Sequence, residues 1–279
     1  MTEIKPGFYR MSNLEYHRGP GLSSSTLIRL YSYSPLHSQV PVKETPAMMF
    51  GSMLHEALED PEDFENRYVI LPDDCRPGSG AGIKTRKEEF EAQVAANNQE
   101  IIKQDDYDTI KAMTAAVYSH PECLELMAGD CVTEHSGYAI DPDTGLLIKC
   151  RIDLLNKSKA ILTDYKSCVD ARPGPFLKKS WYLGYWFRAC FYLYVVSLVT
   201  GLDHRDFRFV AIEREEPYGI QVYGVSPELI KYGNEQVRTS IDKYAECVEL
   251  NIWPSYQDDT HEFNLPNWLK KQLEYNTSF

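Results

Sequence analysis

The chain has 279 residues, is 43% hydrophobic and 25% charged, and carries a net charge of −12. That length suits one large domain or two small ones, and the apolar fraction excludes a wholly disordered chain. No apolar run approaches the ~20 residues that a membrane span needs, and so acidic a chain is at first sight a poor partner for nucleic acid.

Residues 1–6 hold no apolar signal region, which predicts an intracellular, cytoplasmic protein. Gly19-Pro20-Gly21 predicts a turn, and Ser23 or Ser24 caps a helix carrying Leu27, Ile28, Leu30 and Tyr31 that ends near Ser34-Pro35. A second helix is predicted from about Ala47, with Phe50, Met53, Leu54, Ala57 and Leu58 at helical spacing and Pro61 as its stop. Gly78-Ser79-Gly80-Ala81-Gly82 reads as a flexible loop, because it lacks the GxxxxGK[ST] spacing of a phosphate cradle. Residues 86–128 read as two helices, with Tyr107, Ile110, Met113 and Val117 as a core-facing stripe.

From residue 131 the pattern turns to strands. The runs 132–140, 146–155 and 160–165 are separated by turn sequences at 141–145 and 156–159, which predicts a three-stranded antiparallel meander. A long aromatic helix follows from 176 to about 199, then strands at 207–213 and 220–225 and a helix from Pro227 to about 250. The tail through Leu265-Pro266-Asn267-Trp268 is irregular before a last short helix. With no repeat and no linker, the expectation is a single α/β domain over 1–279. Its parts are mainly helical (1–130), the sheet with the aromatic helix (131–225), and a C-terminal helix and tail (226–279).

Seven cysteines, an odd number without a CxxC pair, argue against a disulfide framework or a four-cysteine metal site and for free thiols packed as small apolar side chains. The charge is unevenly spread. Between residues 149 and 189, Lys149, Arg151, Lys157, Lys159, Lys166, Arg172, Lys178, Lys179 and Arg188 face only Asp153, Asp164 and Asp170, a net of +6. A second island, 76–87, has four bases (Arg76, Lys84, Arg86, Lys87) and no acid, which leaves −22 for the rest. Two basic islands in an acidic shell can grip a polyanion locally; solvated surface charge is the alternative.

The segment with most chemical content is Cys150-Arg151-Ile152-Asp153 followed by Thr163-Asp164-Tyr165-Lys166. Residues two apart on a strand share a face, so Asp164 and Lys166 point together, and pairing through the 156–159 turn brings Asp153 beside them. Two carboxylates converging with a lysine suit metal-assisted phosphodiester hydrolysis: the acids hold Mg²⁺, and Lys166 orients or deprotonates the attacking water. A surface Asp–Lys ladder is the alternative.

With His55 on an early helix, this order resembles the PD-(D/E)XK nuclease superfamily, and more narrowly its RecE-type (exonuclease VIII) branch. The similarity also takes in Gly21-Leu22-Ser23-Ser24-Ser25, Ser34-Pro35, Phe50-Gly51-Ser52-Met53-Leu54-His55 leading to Pro61-Glu62-Asp63-Phe64, Lys84-Thr85-Arg86-Lys87, His120-Pro121 and Leu265-Pro266-Asn267-Trp268. It implies a restriction-endonuclease-like α/β core, a mixed, mainly antiparallel sheet flanked by helices. It also implies a Mg²⁺-dependent exonuclease, with Mn²⁺ as a substitute, that resects double-stranded DNA ends to single strands for an annealing protein or recombinase. Carried over by position, His55, Asp153, Asp164 and the Tyr165 carbonyl are metal ligands, Lys166 is the active-site lysine, and Tyr192 is the tyrosine of a Gln-x-x-x-Tyr helix.

That helix here reads Arg188-Ala189-Cys190-Phe191-Tyr192, with arginine in place of glutamine. Arg188 is expected to contact a DNA phosphate; pairing with a catalytic carboxylate is the alternative. Lys84, Arg86 and Lys87, with Lys178 and Lys179, are further candidate DNA contacts. Of the aromatic residues between Trp181 and Tyr194, most are expected to pack on the sheet and some to meet unpaired bases or a duplex end. The resemblance further implies a homo-oligomeric ring and a phage or prophage setting in a bacterial cytoplasm. A RecB-like structure-specific or single-strand nuclease, and a catalytically silent DNA-binding protein, are the competing readings.

Overall fold

The computed structural model describes residues 4–75, 82–256, 260, 262 and 264–276, so the glycine-rich stretch lies, apart from Gly82, outside the described residues. In chain order the elements are β1 (Gly7–Arg10), α1 (Asn13–Arg18), β2 (Leu22–Ser23), α2 (Ser24–Ser32), α3 (Pro35–Ser38), α4 (Pro46–Glu59), α5 (Pro61–Arg67) and β3 (Tyr68–Ile70). There follow α6 (Ile83–Ala96), β4 (Glu100–Ile102), α7 (Gln104–Ser119), α8 (Pro121–Met127), β5 (Cys131–Ile140), β6 (Leu147–Asn156) and β7 (Ile161–Cys168). The last are α9 (Pro173–Tyr182), α10 (Tyr185–Thr200), β8 (Asp206–Glu213), β9 (Ile220–Gly224), α11 (Pro227–Leu250) and α12 (Asn267–Asn276).

The main sheet runs β1-β5-β6-β7-β8-β9, antiparallel except for the parallel β7–β8 pair, with β2 added in parallel to β6; β3 and β4 form a separate two-stranded ladder. The expected mixed, mainly antiparallel sheet between helices is therefore present. Alternation along the strands sends apolar side chains to both faces. On one face Ile148, Ile152, Leu162, Phe207 and Phe209 pack with Leu27 of α2, Phe187 and Phe191 of α10, and Ile241 of α11. On the other, Leu154, Tyr165, Val210 and Ile212 pack with Phe50 and Leu54 of α4 and Ile110, Met113 and Val117 of α7. Each fully buried ring or branched aliphatic contributes about 1.5–3 kcal/mol.

Two expectations change. Residues 86–128 form three helices and a strand rather than two helices. The first helix stops at Asn97-Asn98, where Asn98 adopts a left-handed conformation (φ 54°), and β4 then pairs with β3. The aromatic helix is two helices, bent by 68° at the break. Gly184 there has φ +70°, and a Cβ on it would lie 2.9 Å from Ile28 Cγ2, so the break is also where the chain touches α2. No single described helix is long and apolar enough to cross a membrane. All seven cysteines are free thiols, most of them buried, as expected.

A buried polar cluster ties the β5–β6 hairpin to two helices. Asp141 is fully buried and accepts from Arg238 Nη1 (2.8 Å) and Nη2 (3.1 Å), Tyr194 Oη (2.5 Å), and Thr144 N (3.0 Å) and Oγ1 (2.6 Å). Burial disfavours its charge, but these donors, Arg238 first, outweigh burial and hold the carboxyl well below the usual carboxylate range. A depressed carboxyl contributes stability that is present above its unfolded pKa of about 3.9 and is lost as the pH falls below it. Asp141→Asn is expected to lower stability by on the order of 3 kcal/mol at neutral pH. It should also flatten the acid limb of a thermal-melt series, because the variant has no such charge to lose.

Candidate active site

The site forms where β6 and β7 part. Their ladder covers only Leu154↔Thr163, Leu155↔Leu162 and Asn156↔Ile161. Beyond it Asp153 takes over a ladder bond with its side chain: Tyr165 N–H donates to Asp153 Oδ2 at 2.9 Å. The Tyr165 carbonyl accepts from His55 Nε2 of α4 at 2.9 Å and from Lys166 Nζ at 3.3 Å. The edge of β6 that β7 has left is taken by β2, with Leu22 opposite Ile148 and Ser23 opposite Lys149.

The side chains reach this fork from both faces. Ile152 and Leu155 lie in one core and Leu154 in the other, so the alternation of β6 slips by one at Asp153. Its cross-strand neighbour Glu134 matches the slip with a left-handed backbone (φ 48°), and the pair drops out of an otherwise continuous β5–β6 register. His55 Nε2 lies 3.5 Å from Asp153 Oδ2, and His55 Nδ1 lies 3.8 Å from Glu134 Oε1. From the α10 side, Asp164 pairs with Lys166 and its Oδ2 has no other partner.

His55, Glu134 and Asp153 can each turn a ligand atom to within 4.8 Å of the other two. With Tyr165 they line a cavity of about 20 Å³, the room of one water molecule or ion. Carboxylate oxygens, a carbonyl and an imidazole are a donor set for Mg²⁺ or Mn²⁺, and two buried acids facing each other would be eased by a cation between them, so the residues present fit a divalent metal. Burial, with the charge of Asp153, pushes Glu134 up to about 7. Burial likewise raises Asp153; Asp164 adds to the rise, while His55 and Lys166 oppose it.

The structure thus brings His55, Asp153 and Tyr165 to one cavity, whereas Asp164 and Lys166 pair with each other beside it, outside the group whose ligand atoms converge. It adds Glu134, which sequence reasoning missed. Its strand reads CVTEHSGYAI, where an acid between Thr133 and His135 does not stand out, and its place opposite Asp153 depends on a register that spacing alone does not supply. Arg188 and Tyr192 of α10 also face this region. Burial works against the Arg188 charge, but Tyr192, Asp164 and Asp153 outweigh it and raise its pKa. Arg188 forms no ion pair with a described carboxylate, its Nε has no partner, and it lies 5.7 Å from the Tyr185 ring centroid, over which Lys166 also sits at 5.4 Å.

The other basic candidates separate. Lys178 and Lys179 are exposed on α9 and make no ion pair with a described residue. Lys84, Arg86 and Lys87 lie on α6, which packs chiefly on β4 and the turn at Asp73–Cys75, and they pair with Glu88, Asp74 and Glu91. Two of the nine bases in the other island are internal: Lys149 Nζ donates to Tyr16 O (2.7 Å) and Gly19 O (2.6 Å), and Arg151 Nε to Glu134 Oε2 (2.9 Å).

A raised carboxyl contributes stability that is present below its unfolded pKa and lost as the pH rises through its folded value, here about 7 for Glu134. A bound cation offsets that loss. Mg²⁺ or Mn²⁺ at about a hundred times its Kd is therefore expected to raise Tm by about 5 °C, more at pH 8 than at pH 6. Asp153→Asn should abolish the increment in a thermal shift assay.

Among solved structures, a protein of Eubacterium rectale provisionally designated an exonuclease is 11% identical over 95% of this chain and 98% of its own, with a TM-score of 0.57. At that identity the likeness concerns the fold. The SSO0001 protein is 16% identical over 71% of this chain and 88% of its own, with a TM-score of 0.31, too low to carry an argument. No curated protein sequence matches. Residues 33–263 match the model of one family, which takes in strands β5–β9 with the parting pair and the helices that bring His55 and Arg188 to them, but not β1 or β2. The chain belongs to that family, described as a PDDEXK-like domain of unknown function (DUF3799).

Proposed function

We propose that this chain is a Mg²⁺-dependent exodeoxyribonuclease of RecE type that resects double-stranded DNA ends and leaves a single strand for annealing or recombination. The observation that carries the proposal is the parted β6–β7 pair. There Asp153, His55 and Glu134 surround a cavity the size of one ion, with the Asp164–Lys166 pair beside it. The PDDEXK-like family membership supports the same reading.

On this reading His55, Glu134, Asp153 and the Tyr165 carbonyl, with Asp164 across the fork, would hold the metal. When bound it would offset charge developing on the scissile phosphate and lower the pKa of a water ligand. Lys166, an ammonium beside Asp164, would orient a water or donate to a phosphate oxygen. Arg188 would bind an adjacent phosphate through its two terminal nitrogens, a geometry suited to guanidinium. Tyr192, buried beside it, would keep that guanidinium in place. Rings of identical subunits that pass DNA through their centre, and a single-strand annealing partner, are parts of the proposal that rest on the RecE resemblance alone.

The test is digestion of linear and closed circular duplex DNA with Mg²⁺ or with EDTA. Loss of the linear form only, dependent on Mg²⁺ and reduced about 10²–10⁴-fold by Asp164→Asn or Lys166→Ala, is the expected outcome. Cutting of the circle would point instead to an endonuclease, and no digestion would sink the proposal. In the intact enzyme Arg188→Ala should weaken DNA binding and reduce the slope of log affinity against log salt by about 1. An unchanged slope would remove Arg188 from the phosphate contacts.

A further inference from the structure

The break between α9 and α10 leaves an aromatic ridge that the fold itself does not require. Trp181 and Tyr182 end α9 and are 52% and 77% exposed, whereas Trp186, at the start of α10, is 6% exposed. Trp181 stacks on Trp186 (centroids 5.1 Å apart, planes at 21°) and lies parallel to Tyr232 of α11 (6.4 Å, 20°). Trp186 and Tyr232 are only 5.3 Å apart, so both lie on one side of Trp181 and its other face is open. Tyr31 of α2 closes the base of the ridge, edge-on to Trp186 at 5.5 Å and with its hydroxyl 3.2 Å from that of Tyr232.

Two further observations say what would cover this face. The break adjoins the proposed site, because α10 begins with Tyr185, the ring on which both Lys166 and Arg188 lie, although that ring packs on Phe176 and Phe209 rather than on the ridge. It also has a polyanion's complement of charge. Residues 171–202 contain no acid in a chain of net charge −12, and hold Arg172, Lys178, Lys179 and Arg188. Arg172 is paired with Asp170, but Lys178 and Lys179, one turn before Tyr182 and Trp181, make no ion pair with a described residue. Exposed flat rings interleaved with unpaired cations are the recognition chemistry of a single nucleic-acid strand: bases stack on the rings and phosphates meet the cations.

We infer that Trp181 and Tyr182 form a stacking platform for unpaired bases of a DNA strand running alongside the active site, with Lys178 and Lys179 holding its phosphates. The inference rests on the nuclease reading for its position in the reaction, but it can be tested without cleavage. Bases leaving a resected end would stack on the open face of Trp181, and the fixed break at Gly184 would keep that face at a constant distance from Lys166.

The experiment is binding of a labelled oligothymidylate to the full chain in EDTA, with Tm measured for each variant. Trp181→Ala and Tyr182→Ala are each expected to weaken binding about 5- to 100-fold. Trp181→Phe should keep most of the affinity, and Trp268→Ala, an exposed tryptophan on α12, should keep all of it. Equal affinity in all variants, or no binding by the natural chain, would overturn the platform. Unchanged binding with loss of self-association in Trp181→Ala would also overturn it and make the ridge a contact between subunits. A natural chain that digests linear duplex while the variants bind normally refutes the platform and leaves the nuclease reading intact. One that digests nothing, yet loses oligothymidylate binding with Trp181, supports the platform and refutes the nuclease reading.

Discussion

Where β6 and β7 separate, each backbone donor and acceptor that leaves the ladder needs a new partner, and a buried one left unsatisfied costs about 1–3 kcal/mol. The chain supplies those partners from residues that also have a chemical use. Tyr165 N–H goes to Asp153, and the Tyr165 carbonyl goes to His55 and Lys166. The freed edge of β6 takes Leu22 and Ser23. Gly21 precedes them at φ +105°, a conformation that L side chains rarely adopt. Holding the fork open and presenting carboxylates at its mouth are thus one structural task. Substitutions at Asp153 or His55 bear on both.

The same parting explains the electrostatics. In a regular antiparallel pair, Glu134 and Asp153 would be two like charges directly opposite, which is destabilising. Here the left-handed turn of Glu134 and the slip at Asp153 aim both at His55, and burial raises both toward their neutral forms. Arg151 satisfies one Glu134 oxygen at 2.9 Å and leaves the other toward His55. The result is a buried site in which Glu134 and Asp153 face each other across His55, with only one Glu134 oxygen held by Arg151. Such an arrangement is stable only if it stays partly protonated or holds a cation.

Much of this was legible in the sequence, and the failures have physical causes. The meander, the two strands β8 and β9 and the helix at Pro227–Leu250 follow from short β-like runs, the turn residues between them and a proline start. The α9–α10 break did not show, because Gly184 sits among residues apolar and aromatic enough for one long helix. The need for glycine shows only in the fold, where φ is +70° and a Cβ would meet Ile28, which is distant in the sequence. β1 and β2 were missed because four- and two-residue strands carry no periodicity of their own; pairing with β5 and β6 defines them. His55, Asp153, Asp164 and Lys166 could be named from their order along the chain, whereas Glu134 needed the register and the slip.

Charge counted along the chain misleads in the same way, because a polyanion responds only to charge left unpaired on the surface. Of the nine bases between residues 149 and 189, Lys149 and Arg151 are spent inside the fold. Lys157, Lys159, Lys166 and Arg172 are matched by Asp130, Glu125, Asp164 and Asp170. What remains exposed is Lys178 and Lys179 on α9, with Arg188 of α10 buried beside Asp164 and Asp153 on the other side of the Gly184 break. On an acidic molecule this small excess matters more than its size suggests. On the proposed reading, an acidic remainder would repel a polyanion and a local basic patch would favour its approach. That region adjoins the fork, and α9 and α10 are held at a fixed angle by a glycine that can accept no side chain. Arg188 and Lys166 share the Tyr185 ring at that junction, at 5.7 and 5.4 Å from its centroid.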